Sequence, residues 1–486
     1  MKTLIEGGYI VAFDGEQHRI LRDGVVVYED DRVTYVGPSY DGDVDERIDA
    51  QGKLVSPGFI NIHALASICI THFRVDGARR GLTRSREDIL KGLENPEAYY
   101  AGEDSKIGAQ FSFAELLKGG ATTSVTITAF GSSGFEPPRQ QAEDLVKSAG
   151  ELGARAYVSH PYLNAKRYRI PGGGSEYYWD EEAGLKALQR GIEFAEEYQG
   201  AYDDRIRTML FPYQYETCSA RVLAATKKAA EERDLLIHMH TSQYLGEFYE
   251  SFRRYGKTPI QYLYDTGFLD PSVIVTHVLY TTYHPATGRI HPFPEGDLRD
   301  IELLAKSGAT LGHTPLIYSR GGGILHSFGA FQDAGVNIAI GTDAFPMDMI
   351  MEMRHAAILG KVAERDGQSA TAADVFNAAT LNGARVLRRD DLGRLAPGAK
   401  ADIVIVDLTQ LHVGLVDDPI KTLVYMASQK DIETVIVDGK VVVEDGRIPG
   451  LDEEGLARRA NEANQRWKER NNFQTTESFP PFEATE

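Results

Sequence analysis

Two short stretches decide the fold: LLIHMHTSQ at 235–243 and GTDAFP at 341–346. Each begins as an apolar run of strand length and stops at metal-ligating groups, His238 and His240 in the first and Asp343 in the second. Two more apolar runs end the same way, LVSPGFINIH on His63 and PSVIVTH on His277. A strand that ends on such residues delivers imidazoles and carboxylates to one rim of a sheet. A single His after an apolar run is more often a hydrogen-bonded core or loop residue, but four such strand ends in one chain point to a shared cleft. Neutral imidazole and carboxylate are the usual ligands of zinc and iron(II), so the pattern predicts a divalent metal held by His63, His240, His277 and Asp343. His238 is set apart from that group, and is expected to face the surrounding helices while His240 faces the interior.

The rest of the chain is organised around these ends. Residues 1–55 alternate in short runs, YIVAF and DGVVVYEDDRVTYVG, broken by Gly and Asp turns, and similar runs return as ADIVIVDL, ETVIVDG and KVVVEDG. Residues 1–55 and 391–450 are therefore expected to build one small composite β-sandwich. Between them strands and helices alternate: ATTSVTITAF, then QQAEDLVKSAGELG, then ARAYVSHPY, then EAGLKALQRGIEFAEEY. That alternation predicts an α/β fold in which 56–390 form a (β/α)8 barrel, with the metal residues at the ends of strands 1, 5, 6 and 8. Residues 451–486 read as a charged helix, LDEEGLARRANEANQRWKER, and a polar tail whose end is expected to be mobile.

Composition narrows the class. With 486 residues, 42% hydrophobic and 25% charged, the chain can bury a large core. A net charge of −19 disfavours nucleic acid and anionic membrane, both of which reward positive patches. No apolar run approaches the roughly 18 residues of a membrane span, and MKTLIEGGYIVAFDG alternates like a strand rather than a signal peptide. Cys69 and Cys218 are the two cysteines, which fits a reducing cytoplasm; no base is indicated beside Cys218, so it reads as structural. GGG at 321–323 lacks the Lys-Ser/Thr of a phosphate cradle and reads as a rim loop. The expected partners are a small-molecule substrate and further copies of the chain in a homo-oligomer.

Several phrases together resemble the amidohydrolase superfamily over roughly 1–450, in its cytosine deaminase-like, nucleoside deaminase-like and triazine hydrolase-like branch. They are SPGFINIH (56–63), the stretch from ETCS to HMHTSQ (216–243), THVLY (276–280), GVNIAIGTDA (335–344) and AATLNGARVL (378–387). LGRLAPGAKADIVIVDL (392–408) and DIETVIVDGKVVVEDGRI (431–448) match the closing segments. Two departures matter. The superfamily has a second first-strand His where this chain has Leu65, and its deaminases have a Glu where this chain has Gln243. The first removes a ligand, leaving His63, His240, His277 and Asp343, with the Asn61 carbonyl oxygen as a further candidate. The second removes a proton donor: an amide cannot protonate a ring nitrogen, although it can hold a substrate. The phenylurea and thiocarbamate (molinate) hydrolases, with altered first-strand ligands, are the nearest analogy.

RIRTMLFPYQYETCS lacks the bridging lysine of binuclear members, so the resemblance implies one metal, zinc first, with iron, cobalt or manganese as alternatives. It further implies that a metal-bound water attacks the carbonyl of an amide, urea or carbamate. Asp343 would take the proton and return it to the leaving nitrogen, and His277 would ligate the metal or polarise the carbonyl. Gln243, His313 and Tyr280 would contact the substrate. Ile68, Ile70, Phe73, Tyr244, Tyr280, Tyr318 and Phe345 are expected to line an apolar, partly aromatic pocket suited to a neutral substrate. Two other readings stand beside this one: an aminohydrolase or dechlorinase acting on a heteroaromatic ring, and a non-catalytic barrel descendant that acts as a binding protein.

Overall fold

In the computed structural model, which describes residues 1–66, 85–94, 102–128, 134–171 and 174–470, one sheet holds eight parallel strands. They are β1 (Phe59–Ala64), β2 (Ala121–Ile127), β3 (Arg155–Ser159), β4 (Ile206–Leu210), β5 (Leu236–Thr241), β6 (Val273–His277), β7 (Thr310–His313) and β8 (Asn337–Ile340). Nearly every residue in them is buried, as expected for parallel strands covered on both faces. Helices such as Arg139–Leu152, Glu181–Tyr198 and Ala220–Arg233 follow the strands and pack outside them. The predicted helices at 140–153 and 182–198 thus lie where the strand–helix alternation placed them.

The sheet closes on itself at the residues that matter most. Ala64 and Asp343 form a parallel bridge. The Asp343 amide donates to the His63 carbonyl at 2.9 Å and the Leu65 amide to the Asp343 carbonyl at 2.5 Å. Gly341 makes the approach possible: a Cβ there would lie 2.6 Å from the His63 backbone nitrogen and 2.8 Å from its carbonyl oxygen. The result is the (β/α)8 barrel.

Both chain ends contribute to the sheets beside the barrel. Tyr9–Phe13, His18–Arg22 and Lys53–Pro57 join Ile403–Asp407, Ile432–Val437 and Lys440–Val443 in a six-stranded sheet. Lys2–Glu6, Val25–Glu29, Arg32–Gly37 and Glu46–Asp49 form a four-stranded one. Ile5, Ile10, Val26, Val55, Ile403 and Ile436 meet in a common core. Arg155 of β3, 1% exposed, reaches across to Asp402 and Asp438, so a charged contact ties the barrel to these sheets. The helix Glu453–Arg470 packs on Glu103–Lys118, burying Trp467 and pairing Arg466 and Arg470 with Asp104.

An antiparallel hairpin, Ala165–Arg169 with Ser175–Trp179, was not anticipated. Its residues are charged and aromatic without an apolar face, and it is held by Arg254, whose guanidinium lies 4.6 Å above both Tyr177 and Trp179. Among the described residues no helix is long and apolar enough to cross a membrane. Ile68, Cys69, Ile70, Phe73 and the tail after 470 lie outside the described residues.

Candidate metal centre

His238 and His240 are two residues apart on β5, and a strand repeats every two residues, so their rings leave the same face. The expectation that His238 faces the helices is corrected by that periodicity. Its ring lies 4.9 Å from that of His63, inside the barrel. The His63 ring is also 4.9 Å from His240 and 5.3 Å from His277. The register of β1 against β2 slips between Asn61 and Ala64, and such an irregularity re-aims a side chain at a barrel rim.

One ring nitrogen from each of His63, His240 and His277 lies within 4.8 Å of the other two. Oδ2 of Asp343 stands 3.7 Å from Nε2 of His63 and 3.7 Å from Nε2 of His277. All four side chains are buried. Their other nitrogens fix the rings. Nδ1 of His240 lies 2.6 Å from the Tyr213 carbonyl, which can only accept, so the proton sits on Nδ1 and the lone pair on Nε2. Nδ1 of His277 meets Thr314 Oγ1 at 3.0 Å, and Nδ1 of His63 meets His238 Nε2 at 3.0 Å.

Among the described residues, Nε2 of His63 and Nε2 of His277 have no hydrogen-bond partner. Orphaned buried polar atoms cost about 1–3 kcal/mol each, so two of them aimed at one point need a reason. Three imidazole lone pairs with an adjacent carboxylate fit a divalent ion of the zinc or iron(II) kind. Burial, reinforced by the neighbouring rings, lowers the pKa of His240 to about 3 and holds His277 well below the ordinary imidazole range. Both rings are therefore neutral, the form that binds metal. The backbone is left-handed at Ser242 (φ 51°), His277 (φ 85°), Val278 (φ 43°) and Asp343 (φ 59°). Such conformations are unfavourable for non-glycine residues, Val above all, and they cluster where strands turn side chains into a site.

Residues 54–442 match the amidohydrolase family. The chain belongs to that family. This amidohydrolase is 29% identical over 464 residues to the 5'-deoxyadenosine deaminase of Methanosarcina mazei, covering 95% of the chain and 97% of the relative. It is 31% identical over 456 residues to the 5-methylthioadenosine/S-adenosylhomocysteine deaminase of Thermococcus onnurineus, covering 92% and 95%. Among solved structures, an adenosine deaminase from Xanthomonas campestris with bound zinc aligns with a TM-score of 0.78 at 23% identity, over 96% of this chain and 98% of that one. Atrazine chlorohydrolase TrzN from Arthrobacter aurescens TC1, complexed with zinc, aligns with a TM-score of 0.76 at 21% identity, over 95% and 100%. The amidohydrolase is thus a hydrolase of carbon–nitrogen bonds.

Its departures from the family pattern are visible in space. Leu65 packs against Ile127, Phe211 and Tyr213, so apolar contacts surround the position. Asn61 does not offer its oxygen to the cluster: Oδ1 accepts from the backbone amides of His63 and Thr342, both at 3.2 Å. The Gln243 amide stands beside the Tyr318 hydroxyl. Its backbone and that of Ser242 both donate to Glu247 at 2.8 Å, and Gln214 donates to the same carboxylate at 3.3 Å. Glu247, buried, anchors this loop. It is the third residue of the helix Leu245–Tyr255 and reaches back to the two residues that precede Tyr244.

His313 ends β7 with its ring towards Phe328, outside the three-histidine cluster. The Tyr280 ring meets His284 at 4.5 Å. Cys218 is buried, which pushes its thiol pKa up, and it carries no nucleophile chemistry. The residue the sequence reading missed is His238. For His63 to present its Nε2 lone pair, its Nδ1 proton must go to His238 Nε2, which Thr276 Oγ1 also approaches at 2.8 Å. His238 thus orients the His63 ring. His238→Phe is expected to weaken metal affinity about 10–100-fold, the usual cost of losing an orienting partner. Chelator competition measures it, and unchanged affinity would remove His238 from the site.

Proposed function

We propose that this amidohydrolase holds one divalent ion, zinc first, through His63, His240, His277 and Asp343, and hydrolyses an amide, urea or carbamate-like C–N bond of a small neutral substrate. The barrel at 56–390 is read as the catalytic body, and 1–55 with 391–450 as its supporting sandwich. The observation that carries the reaction class is Gln243. It stands at the rim beside Tyr318, where an amide can orient a substrate through paired donor and acceptor groups but cannot deliver a proton to a heterocycle. A substrate attacked at an ordinary carbonyl needs no such proton.

A divalent ion bound there supplies Lewis acidity that lowers the pKa of water towards neutrality. Asp343, 3.7 Å from both His63 and His277, accepts the proton that water loses on attack and returns it to the departing nitrogen. The partners at Nδ1 of His63, His240 and His277 hold each ring with its Nε2 turned to the common point. The buried surroundings of the cluster exclude bulk water and strengthen every charge–dipole contact within it.

Overall similarity to 5'-deoxyadenosine and methylthioadenosine deaminases favours a second reading, release of ammonia from an adenosine-type ring. Metal-reconstituted protein assayed on ureas, anilides, carbamates, aminotriazines and adenosine-type nucleosides separates the two. Turnover is expected on the carbonyl compounds. Turnover confined to the aminoheterocycles would replace the first reading with the second. Failure to retain any transition metal would favour a binding protein.

A further inference from the structure

The proposed reaction needs a hydrogen-bond donor aimed at the substrate atom that gains negative charge. The histidines do not provide one. With Nε2 turned to the common point, His240 donates through Nδ1 to Tyr213, His277 to Thr314 and His63 to His238. An ionised Asp343 only accepts. The Tyr318 ring stands against that of His277, and its hydroxyl has the Gln243 amide beside it.

Tyr318 is held firmly. It lies in the short helix Pro315–Ser319 that follows β7, and its ring packs edge-on against His277 with centroids 4.9 Å apart. Buried Glu352 accepts from the Leu316 amide at 3.1 Å and pins the start of that helix. Among the described residues no hydrogen bond of ordinary geometry reaches the Tyr318 hydroxyl, although it is buried. Buried polar groups are nearly always partnered, so a hydroxyl that lacks a well-formed hydrogen bond on a ring packed against His277 asks for a ligand. A phenol is protonated at neutral pH and can donate to one.

We propose that the Tyr318 hydroxyl, flanked by the Gln243 amide, donates the hydrogen bond that stabilises the substrate atom carrying negative charge in the transition state. The assignment rests on the C–N hydrolase reading and makes Tyr318 a catalytic residue. Its geometry also explains how a site with an amide at 243 stabilises an oxyanion.

Tyr318→Phe keeps the ring against His277 and removes one oxygen. Phenylphosphonate, a tetrahedral oxyanion, and benzamide, its planar neutral counterpart, are titrated calorimetrically into metal-loaded parent and variant. The variant is expected to bind phenylphosphonate at least about tenfold more weakly, to bind benzamide within about threefold of the parent, and to keep its metal. On any panel substrate that turns over, kcat is expected to fall about 10²–10³-fold, as when one oxyanion donor is removed, with KM little changed. Equal phenylphosphonate affinity in the two proteins, or metal loss from the variant, overturns the proposal. A panel without turnover, alongside a selective loss of phenylphosphonate binding, overturns the C–N hydrolase reading and supports the donor.

Discussion

Asp343→Asn and His240→Ala are each expected to strip the protein of the proposed metal and of its activity together. Asp343 stands 3.7 Å from two of the three histidine nitrogens and is the carboxylate of that set. In the proposed reaction it is also the group that moves the proton. Asparagine is the appropriate replacement because Asp343 is left-handed at φ 59°, a conformation Asn tolerates and other side chains resist. The backbone bridge to β1 then survives, and the loss is confined to ligation and proton transfer. Metal content after gel filtration should fall from one per chain to near zero. Turnover should drop by at least about 10³-fold, since water of pKa near 15.7 is no longer brought near 7. Stoichiometric metal in His240→Ala would sink the site as drawn.

On the proposed function, Gln243→Glu is expected to leave kcat/KM on amides and ureas unchanged or lower and to confer no deaminase activity. The new carboxylate would stand beside Tyr318 and next to the buried Glu247 carboxyl that its own backbone amide contacts, where burial raises the cost of ionisation. A neutral carbonyl substrate would gain nothing from it, because in the proposed reaction Asp343 carries the proton. For a ring deaminase the effect reverses, and a carboxylic acid in reach of the heterocycle raises kcat by the roughly 10²–10⁴-fold typical of general acids. Measuring kcat/KM for both proteins on a urea and on an adenosine-type nucleoside decides between the readings. A gain of that size on the nucleoside transfers the function to the second one.

Most of the fold was legible because strand ends are marked chemically. His63, His240, His277 and Asp343 each close an apolar run, and the alternation between them predicts the barrel. What was not legible is instructive. His238 was assigned to the wrong face although the two-residue period of a strand puts it beside His240, and its role follows from a contact with His63 that spans the barrel. Leu65 announces a missing ligand, but its packing against Phe211 and Tyr213 depends on the fourth strand's continuation and has no local signal. Tyr318 reads as one more rim aromatic; its orphaned hydroxyl emerges once β6 and the helix after β7 are side by side. The hairpin at 165–179 lacks an apolar stripe and is held by Arg254, remote in sequence.

The closing seam of the barrel has a kinetic consequence. Asn61 and Thr342, hydrogen-bonded to each other at 2.8 Å, are 281 positions apart in sequence, and His63 and Asp343 meet beside them. Contacts of such separation are expensive in chain entropy and form late. Ring closure and site assembly are thus one event, deferred until the last strand has docked on the first. A ligand gripped by His63 and Asp343 together clasps the most distant pairing in the barrel. In the proposed site, uptake of the ion would therefore mark the end of folding, and its release would free the joint from which the ring reopens.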